Sequence, residues 1–219
     1  KFDVIVLGDV EPSALKEEDQ KAIKRFVEDS AGTLIVIAGP RHMPHAYDKT
    51  PLADLLPVTF KPIAEADAFA ASPDETFRFE LTPEGRDSVI TRLKVDPAEN
   101  LDVWKSLPDI HWRYPIVSTK ESAQVLAYAL PPSPPEFLAA GPAPQPAAGS
   151  AKAPSDEVLR ERQQFVRDHA LLVTQNVALG RVLFLATDHT WRLRYRVGDT
   201  HHHRFWGQVL RWATADKLP

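Results

Sequence analysis

The chain contains no cysteine among its 219 residues. It therefore has no disulfide, no thiolate metal site and no cysteine nucleophile. It also has no apolar run near the roughly 20 residues that cross a bilayer as a helix, and the expectation from its first residues is that they are not a secretory leader. Nor does positive charge dominate. The formal net charge is −4, which argues against a broad surface for nucleic acid or acidic membrane. An initiator Met is missing too. Lys1 stands directly before the strand-like Phe2-Asp3-Val4-Ile5-Val6-Leu7. The expectation is a soluble segment cut from a longer protein, with the other domains of that parent among its partners.

What is present is ordinary globular material, 43% hydrophobic and 26% charged, enough for one large domain or two small ones. The charge is uneven. From Gly180 onward there are seven basic residues against three acidic, so a basic C-terminal surface faces an acidic remainder.

The order of elements begins with a buried strand over 2–7 entering a loop at Gly8-Asp9. Ser13 reads as the N-cap of the next helix, with Glu17 and Glu18 in its first turn. Leu15, Ala22, Ile23, Phe26 and Val27 form its apolar face, and Gly32 lies past its end. Residues 33–38 form a second apolar strand closing on Gly39-Pro40. Strand, helix, strand at this spacing predicts a parallel pair joined by a right-handed crossover.

Farther on, the pattern predicts a helical turn over 52–56 and strands near 58–61 and 76–81. Asp96-Pro97-Ala98-Glu99 opens a helix whose buried side is Leu101, Trp104 and Leu107. Strands follow over 114–117 and 124–130. Residues 131–154 hold eight prolines and seven alanines in 24 positions, a composition that builds no packed core. This stretch reads as a mobile, disordered Pro/Ala-rich insertion within one domain. After it come a helix over 156–167, a strand pair over 171–175 and 181–186, and a last helix over 202–213. That helix buries Phe205, Val209, Trp212 and Ala213.

Four segments together carry a resemblance: Val4-Ile5-Val6-Leu7-Gly8-Asp9, the run from Gly32 to Pro40, Thr50-Pro51-Leu52-Ala53-Asp54-Leu55-Leu56-Pro57, and the run from Gly180 to Asp188. The chain resembles the class I glutamine-amidotransferase-like domains of large bacterial membrane-anchored proteins, often found beside von Willebrand factor A modules. The resemblance implies a flavodoxin-like three-layer α/β fold with a mostly parallel sheet. In active members a glycine-proline loop supplies oxyanion contacts, a strand-to-helix elbow presents cysteine, and His and Glu complete the triad. Here Ala38-Gly39-Pro40 matches the loop. The elbow is missing, and Asp188-His189-Thr190 stands near the expected His-x-Glu position without a glutamate. A serine elbow is missing as well, because the only Gly-Ser pair, Gly149-Ser150, lies in the Pro/Ala segment. No catalytic residue and no cofactor is assigned.

Ligands of open parallel α/β sheets bind beyond the carboxyl ends of the strands. The loops at Gly8-Asp9, 39–47 and 187–191 are expected to meet there. They would gather Asp9, Gly39, Pro40, Arg41, His42, His45, Tyr47, Asp188, His189 and Trp191 to grip a polar ligand such as a sugar or a carboxylated metabolite. The plainer alternative is that Asp9 and Asp188 cap turns while the aromatics fill gaps. His42 and His45, with Asp188 and His201-His202-His203, also suggest a metal, although no metal site is assigned. Arg192, Arg194 and Arg196 alternate as on one side of an extended segment, a stripe for an anion or protein partner, or for acidic surface elsewhere in the chain. Trp112, Tyr114 and Trp206 read as core. Three functions remain open: a non-catalytic binding module, a hydrolase or amidotransferase-type enzyme using water activated by Asp188, His189 or a metal, and a structural spacer.

Overall fold

In the computed structural model the described residues are 2–61, 76–139, 154–194 and 198–215. A six-stranded sheet forms the centre, in the order β1 (Val4–Leu7), β2 (Thr33–Ile37), β8 (Gly180–Leu185), β7 (Ala170–Val177), β6 (Gln124–Leu130) and β4 (Arg78–Leu81). A separate two-stranded ladder pairs β3 (Val58–Thr59) with β5 (Ser118–Thr119).

β1, β2 and β8 form a parallel block, with Ile5 opposite Leu34 and Leu34 opposite Val182. The remaining pairings are antiparallel. Four of the six strands thus run the same way, but adjacent parallel pairing is confined to one half. The hairpin β7–β8 is the reason. Leu172 pairs with Leu185 and Val177 with Gly180 around a two-residue turn in which Ala178 takes φ 49°. So short a connection returns the chain antiparallel.

Alternation along the central strands builds a core on each face, as period-two side-chain direction requires. Leu34, Val36, Val182 and Phe184 pack with Ile23 and Val27 of α1 (Glu17–Glu28) and Leu52 and Leu55 of α2 (Pro51–Leu55). Ile35, Leu183 and Leu185 face the other way, onto Trp104 of α4 (Pro97–Ser106) and Phe205, Val209 and Ala213 of α7 (Thr200–Thr214). Between β4 and α4 lies the short α3 (Pro83–Asp87), capped by the Thr82 hydroxyl, which accepts from Gly85 N. Helix, sheet, helix makes a three-layered α/β domain.

Several local expectations change. The N-cap of α1 is Lys16, whose backbone N–H donates to Asp19 Oδ2 at 3.2 Å, while Ser13 lies in a preceding 3₁₀ turn, Pro12–Ala14. Pro12, at the first position of that turn, favours the short separate element. Residues 114–117 form no strand: Ile116 N donates back to Tyr114 O at 3.0 Å, and Val117 N donates to Thr59 O of β3 at 2.8 Å. Tyr114 N donates to Ala186 O at 2.6 Å, and pairing begins only at Ser118. The start of the Pro/Ala segment is ordered. A short helix α5 (Glu136–Ala139) brings Phe137 to Phe165 of α6 (Asp156–Asp168), edge to face at 5.9 Å. The remainder of the segment expected to be mobile, 140–153, lies outside the described residues. Among the described residues no helix is long and apolar enough to cross a membrane.

Candidate functional site at the ends of the parallel strands

The parallel block determines which loops meet. β1, β2 and β8 are neighbours running the same way, so the segments after Leu7, Ile37 and Leu185 emerge at one edge.

Asp9 organises the first two segments. Its Oδ1 accepts from His42 N at 2.7 Å and Met43 N at 2.8 Å, and its Oδ2 accepts from Arg41 N at 3.0 Å. Three consecutive backbone N–H groups thus converge on one carboxylate, the concave arrangement that binds anions in many loops. Gly39 is what lets the carboxylate in. A Cβ there would lie 2.3 Å from Asp9 Cγ. Gly39 N in turn donates to Met43 O at 2.8 Å, closing the loop. Pro40 is half-buried beside it, and the Arg41 side chain is exposed.

His45 and Tyr47 turn inward. His45 is buried, its Nε2 donates to Arg41 O at 2.8 Å, and its ring stacks on Tyr114 at 5.8 Å. Tyr47 is fully buried and its hydroxyl donates to Val10 O at 2.9 Å. Burial, with Asp9 and Glu11 nearby, pushes its phenol above the ordinary tyrosine range. Both rings hold the loop in place. His42 is half-buried on the same turn.

The third segment supplies the outward-facing groups. Thr187, buried, donates its hydroxyl to Trp112 O at 2.8 Å and accepts from His189 N at 3.1 Å. His189 is half-buried. Its Nδ1 receives the His111 backbone N–H at 3.5 Å, and its Nε2 lies 3.5 Å from Asp188 Oδ1. Since Nδ1 accepts, the neutral ring carries its proton on Nε2, facing the carboxylate. Burial lowers the imidazole below the ordinary histidine range, against the pull of Asp188. Burial raises the Asp188 carboxyl, opposed by the His189 ring and, to a smaller extent, helped by the charge of Asp9. Trp191 is 53% exposed, with the His189 ring edge-on at 6.1 Å and the Arg192 guanidinium 5.3 Å over its indole.

Of the residues singled out in the sequence, Asp188, His189 and Trp191 come together with their side chains at the surface. Asp9, Gly39, His45 and Tyr47 build the loop beside them. Among the described residues no three His, Asp or Glu side chains gather into a metal-ligating group, so the ligand set suggested by His42, His45 and Asp188 is not assembled. His201 and His202 sit half-buried at the start of α7, held below the ordinary histidine range chiefly by burial.

The arginine stripe does not form as an extended face. Residues 189–194 wind into a 3₁₀ helix, which sends alternate side chains to different sides. Arg192 lies over Trp191 and Arg194 pairs with Asp199, while Arg196 falls outside the described residues. His111 and Thr187 were not singled out in the sequence. Both act through backbone contacts between distant segments, and no local pattern announces such contacts.

The fold is a three-layered α/β arrangement, with a candidate site at the strand-end edge. No family model matches the sequence, and no curated protein matches it. Among solved structures, cytoplasmic protein STM3548 from Salmonella typhimurium is similar over 96% of this chain and 71% of its own, at 15% identity and a TM-score of 0.58. Cytoplasmic protein STM1381 from Salmonella typhimurium LT2 is similar over 97% and 72%, at 18% identity and a TM-score of 0.59. At such identity the likeness is one of fold.

Proposed function

We propose that this chain is a non-catalytic, glutamine-amidotransferase-like module of flavodoxin-like type. In this reading it binds a polar ligand or a protein partner at the strand-end edge, within a larger bacterial protein that is anchored to a membrane. The observation that carries the reading is the occupation of the glycine-proline loop. In an active relative the donors of that loop would await an oxyanion, whereas here the Arg41, His42 and Met43 N–H groups already hold Asp9. The cysteine that would attack is absent from the chain. Asp188, His189 and Trp191 remain available as recognition groups beside the filled loop.

One observation favours a second reading, a hydrolase that activates water. Burial and the nearby Asp9 raise the Asp188 carboxyl, the direction that suits a general base. His189 is the weaker candidate, because Nδ1 accepts from His111 and Nε2 faces Asp188.

Thermal unfolding against a panel of divalent metals with and without chelator, sugars, glutamine and nucleotides separates the readings. A ligand at 100 times its dissociation constant, bound only to the folded state, stabilises by about 2.7 kcal/mol. A shift that disappears in Asp188→Asn supports the binding site. A chelator-reversible metal shift supports the hydrolase. An unchanged midpoint throughout counts against a small-molecule site.

A further inference from the structure

We infer that the ligand of this edge is a neutral, hydroxyl-rich molecule of the saccharide class, held by Asp188, His189 and the open side of Trp191; this rests on the reading that the edge is a binding site. The neighbouring groups decide the class by elimination. A negatively charged ligand would find the strongest donor set, three converging backbone N–H groups, filled by Asp9. It would meet the Arg192 guanidinium, already stacked on Trp191, only beside the Asp188 carboxylate. An anion at Asp188 would also meet that residue's own half-exposed carboxylate. A positively charged ligand meets the opposite difficulty, since the Arg192 guanidinium lies 5.3 Å over Trp191.

A neutral polyol satisfies every group present. An ionised carboxylate only accepts, and its two oxygens suit adjacent hydroxyl donors. Asp188 Oδ1 lies 3.5 Å from His189 Nε2, and the Asp188 side chain is about half exposed. The indole of Trp191 carries negative charge density on its ring face. The weakly positive C–H face of a pyranose packs against such a surface, burying apolar area while its hydroxyls reach Asp188. At 53% exposure Trp191 has area to bury. An aromatic plate beside a fixed acceptor is a small set of convergent polar groups on an apolar wall, the usual composition of a small-molecule site.

The test is a titration followed by intrinsic tryptophan fluorescence and calorimetry. Neutral mono- and oligosaccharides form one arm, and glutamate and inorganic phosphate the other. At least one neutral saccharide is expected to bind saturably. Its affinity should fall about tenfold or more, roughly 1.4 kcal/mol, in Trp191→Ala and in Asp188→Asn. Trp206→Phe, in α7 and partly buried against the core, should leave it unchanged. Trp191 and Asp188 are both exposed, so these variants should fold, and their unfolding midpoints verify it. Binding of glutamate or phosphate in an Asp188-dependent way, without saccharide binding, overturns the saccharide class and leaves the binding-site reading intact. Saccharide binding that survives both substitutions overturns the placement. Binding of neither arm up to solubility overturns the inference and the reading beneath it.

Discussion

Asp9 shows how a single residue can settle what a loop is able to do. Its carboxylate holds three backbone N–H groups of the segment after β2, and bonds to a charged group contribute more than neutral ones. Asp9→Ala should therefore destabilise by about 3 kcal/mol, measured by urea unfolding. A loss under a few tenths would show the loop is held by its buried rings alone. Gly39→Ala should also destabilise, because its Cβ would meet Asp9 Cγ at 2.3 Å. Asp9→Ala removes the Cγ contact but keeps a Cβ 2.4 Å away, so the double variant relieves the clash in part and the two costs should fall somewhat short of additive. Additive costs would contradict the contact.

The histidines fix a pH dependence at the same scale. His169 lies below its ordinary value because it is buried and faces Arg113, against the opposing bond to Phe165 O and the charge of Asp168. His189, His201 and His202 are lowered as well, each chiefly by burial. The unfolded chain then binds more protons than the folded one as pH falls through the ordinary histidine range, so stability is complete above that range and is lost on acidification. Asp188 acts in the opposite sense, since a raised carboxyl favours the folded state more as pH drops. The unfolding midpoint should fall between about pH 7.5 and 5.5, and less steeply in His169→Gln. Parallel profiles would contradict the assignment to His169.

At the scale of elements, most of the chain was legible. Apolar alternation located β1, β2, β6, β7, β8 and the last helix, because buried strands and amphipathic helices carry their period in the sequence. What was hidden depended on contacts beyond the element. Ser13 has the right chemistry for a cap, yet Asp19 reaches back to Lys16 N and does the work. Asp19→Ala should cost roughly 0.5–1 kcal/mol, and Ser13→Ala close to nothing, in paired thermal melts. Equal effects would restore Ser13. Gly32 stands where a helix stop is expected, but Ala31 takes the left-handed turn at φ 54°. Gly32 instead makes room for Phe26, whose ring would lie 2.3 Å from a Cβ. Arg192 and Arg194 alternate like a strand, but tertiary packing of Leu193 and Thr190 winds them into a 3₁₀ helix.

The last helix closes one whole face. Phe205 is 2% exposed and meets Trp104 edge to face at 6.5 Å. Phe205→Ala should therefore cost about 3–5 kcal/mol, and a loss below 1 kcal/mol would mean that α7 is peripheral.

For the whole molecule, the parallel block makes the edge a meeting place. The sequence signalled a βαβ unit and a later strand pair, but not that β8 would insert beside β2. Strand order depends on long-range pairing, which carries no local pattern. The three loops of the candidate site were legible because strand ends in such sheets are known places for ligands. Which side chains would face outward was not, since His45 and Tyr47 differ from Asp188 and Trp191 only in what packs around them.

The most direct measurement is a nitrogen–proton correlation spectrum of the assigned protein, titrated with the ligand that shifts its unfolding midpoint. Perturbed amides should cluster at Gly8-Asp9, at 39–47 and at 187–191, on the ends of β1, β2 and β8. Perturbations centred instead on the separate cleft lined by Phe77, Arg78, Asp109 and Leu130 would contradict a binding site at the strand ends.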